Sequence, residues 1–237
     1  MADLELTAPD GHRFHAYRAD PDRPPLGAVV VIQEIFGINQ HIRAVCDRLA
    51  ADGFVALAPA LFDRLERGVE LGYDDEGMGR GVDLAWQRGS IPDALTDLTT
   101  TAAVLAEEFG EPGTVGAVGF CYGGMLACAL SSRHPDDLGA VVAYYPSRAA
   151  ELLVDDVPAT PLLVHLGNQD PRVTVDDGRT LAERWPTATF HRYAEAGHGF
   201  NCDLRDTFEP DAAALAWHRT LEFFGEHLGT PPHVGEA

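Results

Sequence analysis

Runs of apolar residues of two lengths divide the chain. Gly27-Ala28-Val29-Val30-Val31-Ile32 is apolar throughout, as a central parallel strand buried on both faces requires. Similar short runs at 53–58, 114–118, 138–145 and 161–167 predict further buried strands, with a last strand at 189–193. Between them the period lengthens. Ile42, Val45, Cys46 and Leu49 share one helical face, as do Leu95, Leu98, Ala102 and Leu105 after Pro92, a helix-starting residue. Another helix is expected around 178–185. A long final one carries Trp217, Leu221, Phe224 and Leu228 on its inner face. At the start, 4–7 and 14–17 alternate around Ala8-Pro9-Asp10-Gly11, a β-hairpin signal. Residues from about 63 to 91 hold six glycines and no sustained period, and read as a long excursion over the sheet edge. Strands alternating with helices imply a mostly parallel sheet covered on both faces. With no repeat, linker or composition break, 1–237 reads as a single α/β domain, and 229–237 as a frayed tail.

Composition narrows the classes. The formal net charge is −20 and all 17 basic residues are arginine, which argues against nucleic acid or an anionic membrane as partner. No apolar run is long enough for a membrane span, and the first residues lack a signal-peptide pattern, so a cytoplasmic protein is expected. The oligomeric state is read only as monomer or small homo-oligomer. The four cysteines, Cys46, Cys121, Cys128 and Cys202, show no paired metal-ligand spacing. No metal and no cofactor are expected.

The chemistry gathers around Gly119-Phe120-Cys121-Tyr122-Gly123-Gly124. An apolar strand precedes it and an apolar helix follows, the pattern of a nucleophile elbow with cysteine in place of serine. Such a turn strains its central residue, and Gly119 and Gly123 keep bulk away from it. The thiol then sits at a helix N-terminus, where thiolate is favoured. In a sheet of this kind, reactive groups lie beyond the carboxyl ends of the strands. Glu34, Cys121, Asp170 and His198 all fall there. The order cysteine, aspartate, histidine is the nucleophile–acid–histidine order of the α/β-hydrolase fold. An imidazole takes the thiol proton and a carboxylate fixes its tautomer. The backbone N–H groups of Tyr122 and Ile35 are the expected oxyanion hole. Each residue also has a plainer role: Asp170 as a turn cap, Gly197-His198-Gly199 as a surface turn, Glu34 as an arginine's partner.

These motifs resemble the dienelactone hydrolases, the carboxymethylenebutenolidase group of α/β-hydrolases. The resemblance runs from about Leu4 to Leu228. It rests on Gln33-Glu34-Ile35-Phe36-Gly37-Ile38-Asn39, the cysteine elbow, Gly167-Asn168-Gln169-Asp170 and Glu195-Ala196-Gly197-His198-Gly199-Phe200. It implies a Cys121–His198–Asp170 triad that hydrolyses an enol-lactone through an acyl-enzyme. It further implies that Glu34 touches the thiol, restrains it at rest and assists it when substrate binds. Family members that act on dienelactone hold the substrate carboxylate with two arginines. Arg80 stands for the first, with Arg88 as a competitor; at the second position this chain has Cys202, and Arg205 lies just beyond. Phe36, Trp86, Tyr144 and Tyr145 complete the expected pocket. The small-molecule substrate is accordingly expected to be an anionic lactone or ester. Two alternatives stay open: a cysteine esterase or thioesterase of other acyl groups, and a thiol sensor on a hydrolase scaffold.

Overall fold

The computed structural model describes residues 2–109 and 112–228; the tail expected to fray, 229–237, lies outside the described residues. Eight strands among them form one sheet in the order β1-β2-β4-β3-β5-β6-β7-β8. They are β1 (Ala2–Thr7), β2 (Arg13–Ala19), β3 (Gly27–Ile32), β4 (Phe54–Pro59), β5 (Val115–Phe120), β6 (Ala140–Tyr144), β7 (Leu162–Gly167) and β8 (Thr189–Tyr193). The opening hairpin pairs antiparallel, β2 pairs antiparallel with β4, and every later pairing is parallel. Strands β3 to β7 are buried along their whole length, which is why their sequences carry no alternation.

Each face of the sheet has its own core. On one side lie α1 (Gln40–Asp52) and α7 (Pro210–His227), with Ile42, Val45, Leu49, Ala216 and Phe224 packed on Val29, Val31 and Val118. On the other lie α3 (Ile91–Phe109), α4 (Tyr122–Arg133) and α6 (Val175–Arg184), whose Leu98, Leu105, Met125, Leu126 and Leu181 join Val30, Ile32, Val141 and Val164. The helix ends follow local chemistry. The Asn39 side chain accepts the Ile42 N–H at the start of α1, and Thr174 and Asp177 form a reciprocal capping box on α6. Helix α4 is buried from Tyr122 to Ser131, consistent with its lack of a polar stripe.

The segment between β4 and α3 corrects the sequence reading. It is not an irregular excursion in its second half. Residues Asp75–Val82 form α2, and a π-helical turn, Asp83–Arg88, follows directly. Gly77, Gly79 and Gly81 mask the period, yet Met78, Val82 and Trp86 recur every fourth residue and face inward together. Asp74 caps α2 by accepting the Gly77 N–H at 2.7 Å. Gly81 rests so close to the turn after β3 that a Cβ there would lie 2.3 Å from the Ile35 carbonyl. The Leu71 N–H also donates to the Phe36 carbonyl at 2.8 Å, binding the segment to the same turn. Tertiary packing overrides weak helix propensity here.

Candidate active site

Strand β5 runs straight into α4 through Cys121, which has φ 56° and ψ −109°. A cysteine tolerates that conformation only where its surroundings impose it. They do. A Cβ on Gly119 would lie 2.0 Å from the Gly123 carbonyl oxygen, and one on Gly123 would lie 2.4 Å from that of Ile32. Both backbone groups of Cys121 are clamped as well: its N–H donates to the Tyr144 carbonyl at 3.0 Å, and its carbonyl accepts from Ser147 at 3.1 Å. The thiol stands above the sheet and lines a cavity of about 220 Å³ with Ile35, Phe36, Trp86, His198 and Arg205.

Strands β7 and β8 supply the next groups. Asp170 follows β7 and is buried; its Oδ1 accepts the N–H groups of Arg172 (2.7 Å) and Val173 (3.0 Å). Its Oδ2 takes the Nδ1 of His198 at 2.8 Å. The turn cap and the histidine partner are therefore one side chain, each use fixing the other. His198 follows β8, packs edge-on to Tyr145 and is buried. Burial works against its imidazolium, but the charge of the nearby Cys121 sulfur and the Asp170 hydrogen bond outweigh this, raising its pKa to about 9. Its Nε2 is buried and makes no hydrogen bond of good geometry with any described residue. Helix α4 begins at Tyr122, whose N–H is thus one of the first-turn amides without a carbonyl partner inside its helix. Ile35 faces the same cavity.

Glu34 is buried after β3 and is held by an arginine, the plainer of its two expected roles. Its Oε1 accepts from Arg205 at 3.3 Å and its Oε2 from the Tyr73 hydroxyl at 3.0 Å. Among the described residues the thiol of Cys121 is bonded to the Ser147 hydroxyl, 3.2 Å away, rather than to Glu34. The ion pair with Arg205 draws the carboxylate aside. Arg205 reaches the cavity from the segment after His198, its guanidinium lying over the rings of Tyr73 and Phe36.

Several expected contacts are corrected. Arg80 does not line the cavity: it is exposed on α2 and pairs with Glu66. Two residues to either side of Arg80, on the opposite face of the helix, Met78 and Val82 line the cavity instead. Arg88 is likewise exposed and pairs with Asp83. Tyr144 is fully buried, and its hydroxyl meets Thr220 of α7 at 2.8 Å, so it belongs to the core. Tyr145 touches the site through the His198 ring, not through the cavity wall. Cys202 is also off the cavity; its thiol donates to Tyr73 at 3.3 Å, and burial pushes it up to about 11. Cys202, His41 and the exposed Asp203 bring possible metal-ligand atoms within 4.8 Å of one another. Burial holds the His41 ring's pKa down; Glu34 and Asp203 act to raise it, and the half-buried Arg48 and Arg205 act against them.

Besides Met78 and Val82, the sequence reading misses three polar groups. Ser147, Arg148 and Arg172 all line the cavity. Arg148 lies over the Trp86 ring, 4.9 Å from its centroid, and pairs with Glu151. Arg172 makes only a long contact to the Met78 sulfur, at 3.9 Å, and has no carboxylate partner among the described residues. The signal was available. Ser147 follows β6 and Arg172 follows β7, the strand ends where such sheets place their sites.

A sheet in this strand order, with these groups after β3, β5, β7 and β8, defines an α/β-hydrolase. The chain belongs to the dienelactone hydrolase family, whose profile matches residues 14–228. Carboxymethylenebutenolidase of Pseudomonas putida is 31% identical over 225 residues, covering 93% of this chain and 94% of that one. A Synechocystis protein provisionally described as a carboxymethylenebutenolidase is 34% identical over 213 residues, covering 84% and 86%. A crystal structure from Klebsiella pneumoniae, provisionally described as a dienelactone hydrolase, superposes with a TM-score of 0.81. It is 30% identical and covers 95% of this chain and 99% of its own. The chain is an ester hydrolase of this family. No helix among the described residues is long and apolar enough to cross a membrane.

Proposed function

We propose that this protein hydrolyses an anionic enol-lactone, or a related ester, through Cys121, His198 and Asp170. The observation that carries the reading is the 2.8 Å bond between His198 Nδ1 and Asp170 Oδ2, with the ring lining the same cavity as Cys121 and close enough to feel its sulfur. With Nδ1–H committed to the carboxylate, Nε2 is the basic nitrogen. The thiol proton passes to Nε2, and the thiolate attacks the lactone carbonyl carbon. The carbonyl electron pair moves onto oxygen, towards the N–H groups of Tyr122 and Ile35. The ring C–O bond then breaks, and the enol oxygen takes the proton held on His198. Water, deprotonated by the same ring, attacks the thioester and releases the acid and the thiolate.

The charge of the substrate is read from the arginines. A carboxylate entering the cavity meets Arg172, unpaired with any described acid, and Arg205, which shares itself with Glu34. Competition for Arg205 would loosen Glu34 and let it assist the thiol, as the family resemblance implies. These local charges act against a net charge of −20, so the attraction is short in range.

The test compares kcat/KM for a lactone acid and its methyl ester in wild type, Arg172→Ala and Arg80→Ala. Arg172→Ala is expected to lose about 10- to 100-fold on the acid alone, the size of one charge-assisted hydrogen bond. Arg80→Ala should change neither substrate by more than about twofold, as for an exposed ion pair. A wild-type preference for the neutral ester at low salt would favour a neutral-ester esterase instead.

A further inference from the structure

The turn after β6 holds two of the three non-glycine residues with positive φ among the described residues, and nothing in the triad chemistry requires them. Tyr145 has φ 38° and Arg148 has φ 61°, and neither is glycine. Side chains held in the left-handed region persist only where packing over-determines them, and such residues gather at functional sites. Between them lies Ser147, buried, with its N–H on the carbonyl of Cys121 at 3.1 Å and its hydroxyl 3.2 Å from the Cys121 sulfur. Among the described residues that sulfur is the hydroxyl's hydrogen-bond partner. The strained turn thus brings one hydroxyl onto one thiol. Meanwhile the Nε2 of His198 is buried and makes no hydrogen bond of good geometry.

We propose that Ser147 is the positioning residue of the nucleophile: its hydroxyl holds the Cys121 sulfur in the resting enzyme and donates to that sulfur once the proton has left. This inference rests on the reading of Cys121 as nucleophile. The hydroxyl suits both states. Towards the neutral thiol it accepts the S–H or donates weakly to sulfur. When the thiol proton moves to His198 Nε2, the sulfur keeps the electron pair, and the hydroxyl proton turns towards the new negative charge. A hydrogen bond to a charged group is about twice as strong as one between neutral groups, so Ser147 favours thiolate over thiol. As sulfur bonds to the carbonyl carbon, the negative charge leaves it for the carbonyl oxygen. The Ser147 bond then weakens while those from the oxyanion hole form. Ser147 fixes where the sulfur stands and how much of it is thiolate, while the oxyanion hole stabilises the charge that develops later.

The other groups around the sulfur are His198 with Asp170 behind it, Glu34 with Arg205 and Tyr145, and Arg148 and Arg172 at the cavity wall. None is altered by substitution at Ser147. The measurement is the pH dependence of Cys121 alkylation by iodoacetamide, followed by mass analysis of the Cys121 peptide. Wild type, Ser147→Ala and Ser147→Thr are compared, with kcat and KM for one lactone. Loss of the hydroxyl in Ser147→Ala should move the alkylation midpoint up by about one pH unit, the size expected for a lost hydrogen bond to a charge. It should lower kcat near neutral pH by about tenfold with KM little changed, since the same fraction of thiolate is lost. Ser147→Thr, which keeps the hydroxyl, should restore the midpoint. A residue that only fills space would change thermal stability in Ser147→Ala and leave the midpoint where it was; that result overturns the proposal. Cys121→Ala separates the two readings. If it abolishes hydrolysis while Ser147→Ala keeps the wild-type midpoint, this inference alone fails. If it still hydrolyses the lactone, the nucleophile assignment fails and takes this one with it.

Discussion

The elbow after β5 and the segment over the sheet edge before α3 both border the cavity, but they are built differently. At the elbow, backbone meets backbone. The carbonyls of Ile32 and Gly123 stand where any side chain at Gly123 or Gly119 would have to go. In α2 the contacts are mixed: Gly77 and Gly81 meet backbone as closely, but Gly79 faces open space, and the arginine and acid side chains of this segment form exposed pairs. One region has a single solution. The other holds its inward residues, Met78, Val82 and Trp86, on a short glycine-rich helix that runs into a π-helical turn, a feature common beside functional sites. The elbow is fixed by backbone contacts of the sheet itself, while the shape of the cavity is set by inward side chains of a helix whose outer face is open to solvent.

Removing the sulfur is the largest test of the elbow. Cys121→Ala should reduce lactone hydrolysis by roughly 10⁴-fold or more, as for other members of a catalytic triad. Cys46→Ala, on the buried face of α1, should leave kcat/KM intact and lower stability by about 1–2 kcal/mol, as small cavities in a core do. Hydrolysis by the Cys121→Ala enzyme would break the comparison outright.

Asp170→Asn comes next, with a loss approaching 10⁴-fold in kcat if the carboxylate fixes the His198 tautomer. The sharper reading is non-additivity with His198→Ala. The double variant should lose little more than the worse single one, whereas a loss equal to the product of both would mean the residues act independently.

A smaller effect is a pH dependence of stability. The folded pKa of His198 is raised from an ordinary 6.5 to about 9, because the nearby Cys121 sulfur and the Asp170 carboxylate outweigh its burial. A group raised in this way binds more protons folded than unfolded. Its contribution is therefore complete below about pH 6.5 and is lost as pH rises through about 9. Thermal unfolding of wild type should decline over that window relative to His198→Ala. In Cys121→Ala the decline should flatten, because the sulfur is the largest of the influences that raise the ring. An unchanged slope there would show that Asp170 alone holds the imidazolium.

The smallest effect contrasts two glycines directly. Gly79→Ala should stabilise the protein by about 0.5–1 kcal/mol in chemical denaturation, since the helix position is open and its φ ordinary. Gly119→Ala, with 2.0 Å to the Gly123 carbonyl, should yield little folded protein. Equal tolerance at both positions would remove the distinction between the elbow and the outer face of α2.

Much of this arrangement was legible in the sequence, and the reasons are local. Buried parallel strands announce themselves by uninterrupted apolar runs, so β3 to β7 could be placed from the chain alone. Residues soon after such strands must lie at the sheet's carboxyl edge, which brings Glu34, Cys121, Asp170 and His198 to one end. Glycines two residues either side of Cys121 marked a strained turn, because only a backbone in close contact demands them at both places. None of this needs knowledge of what lies across the cavity.

What faces what across that space was decided by tertiary structure. Arg80 and Arg172 are indistinguishable as residue types and both are exposed, and only the rotation of α2 turns the first away from the cavity, paired with Glu66. Arg172 reaches the cavity because the Asp170 carboxylate gathers the next two N–H groups and turns the loop inward. Tyr144 and Tyr145 are neighbours in sequence, yet one bonds Thr220 in the core and the other packs on His198, since the chain bends sharply between them and Ser147. Glu34 lies at the expected edge, but its partner is a guanidinium arriving from 171 residues away. Spacing along the chain sets which edge a residue reaches; the direction of its side chain depends on contacts between distant segments, and no local pattern encodes those.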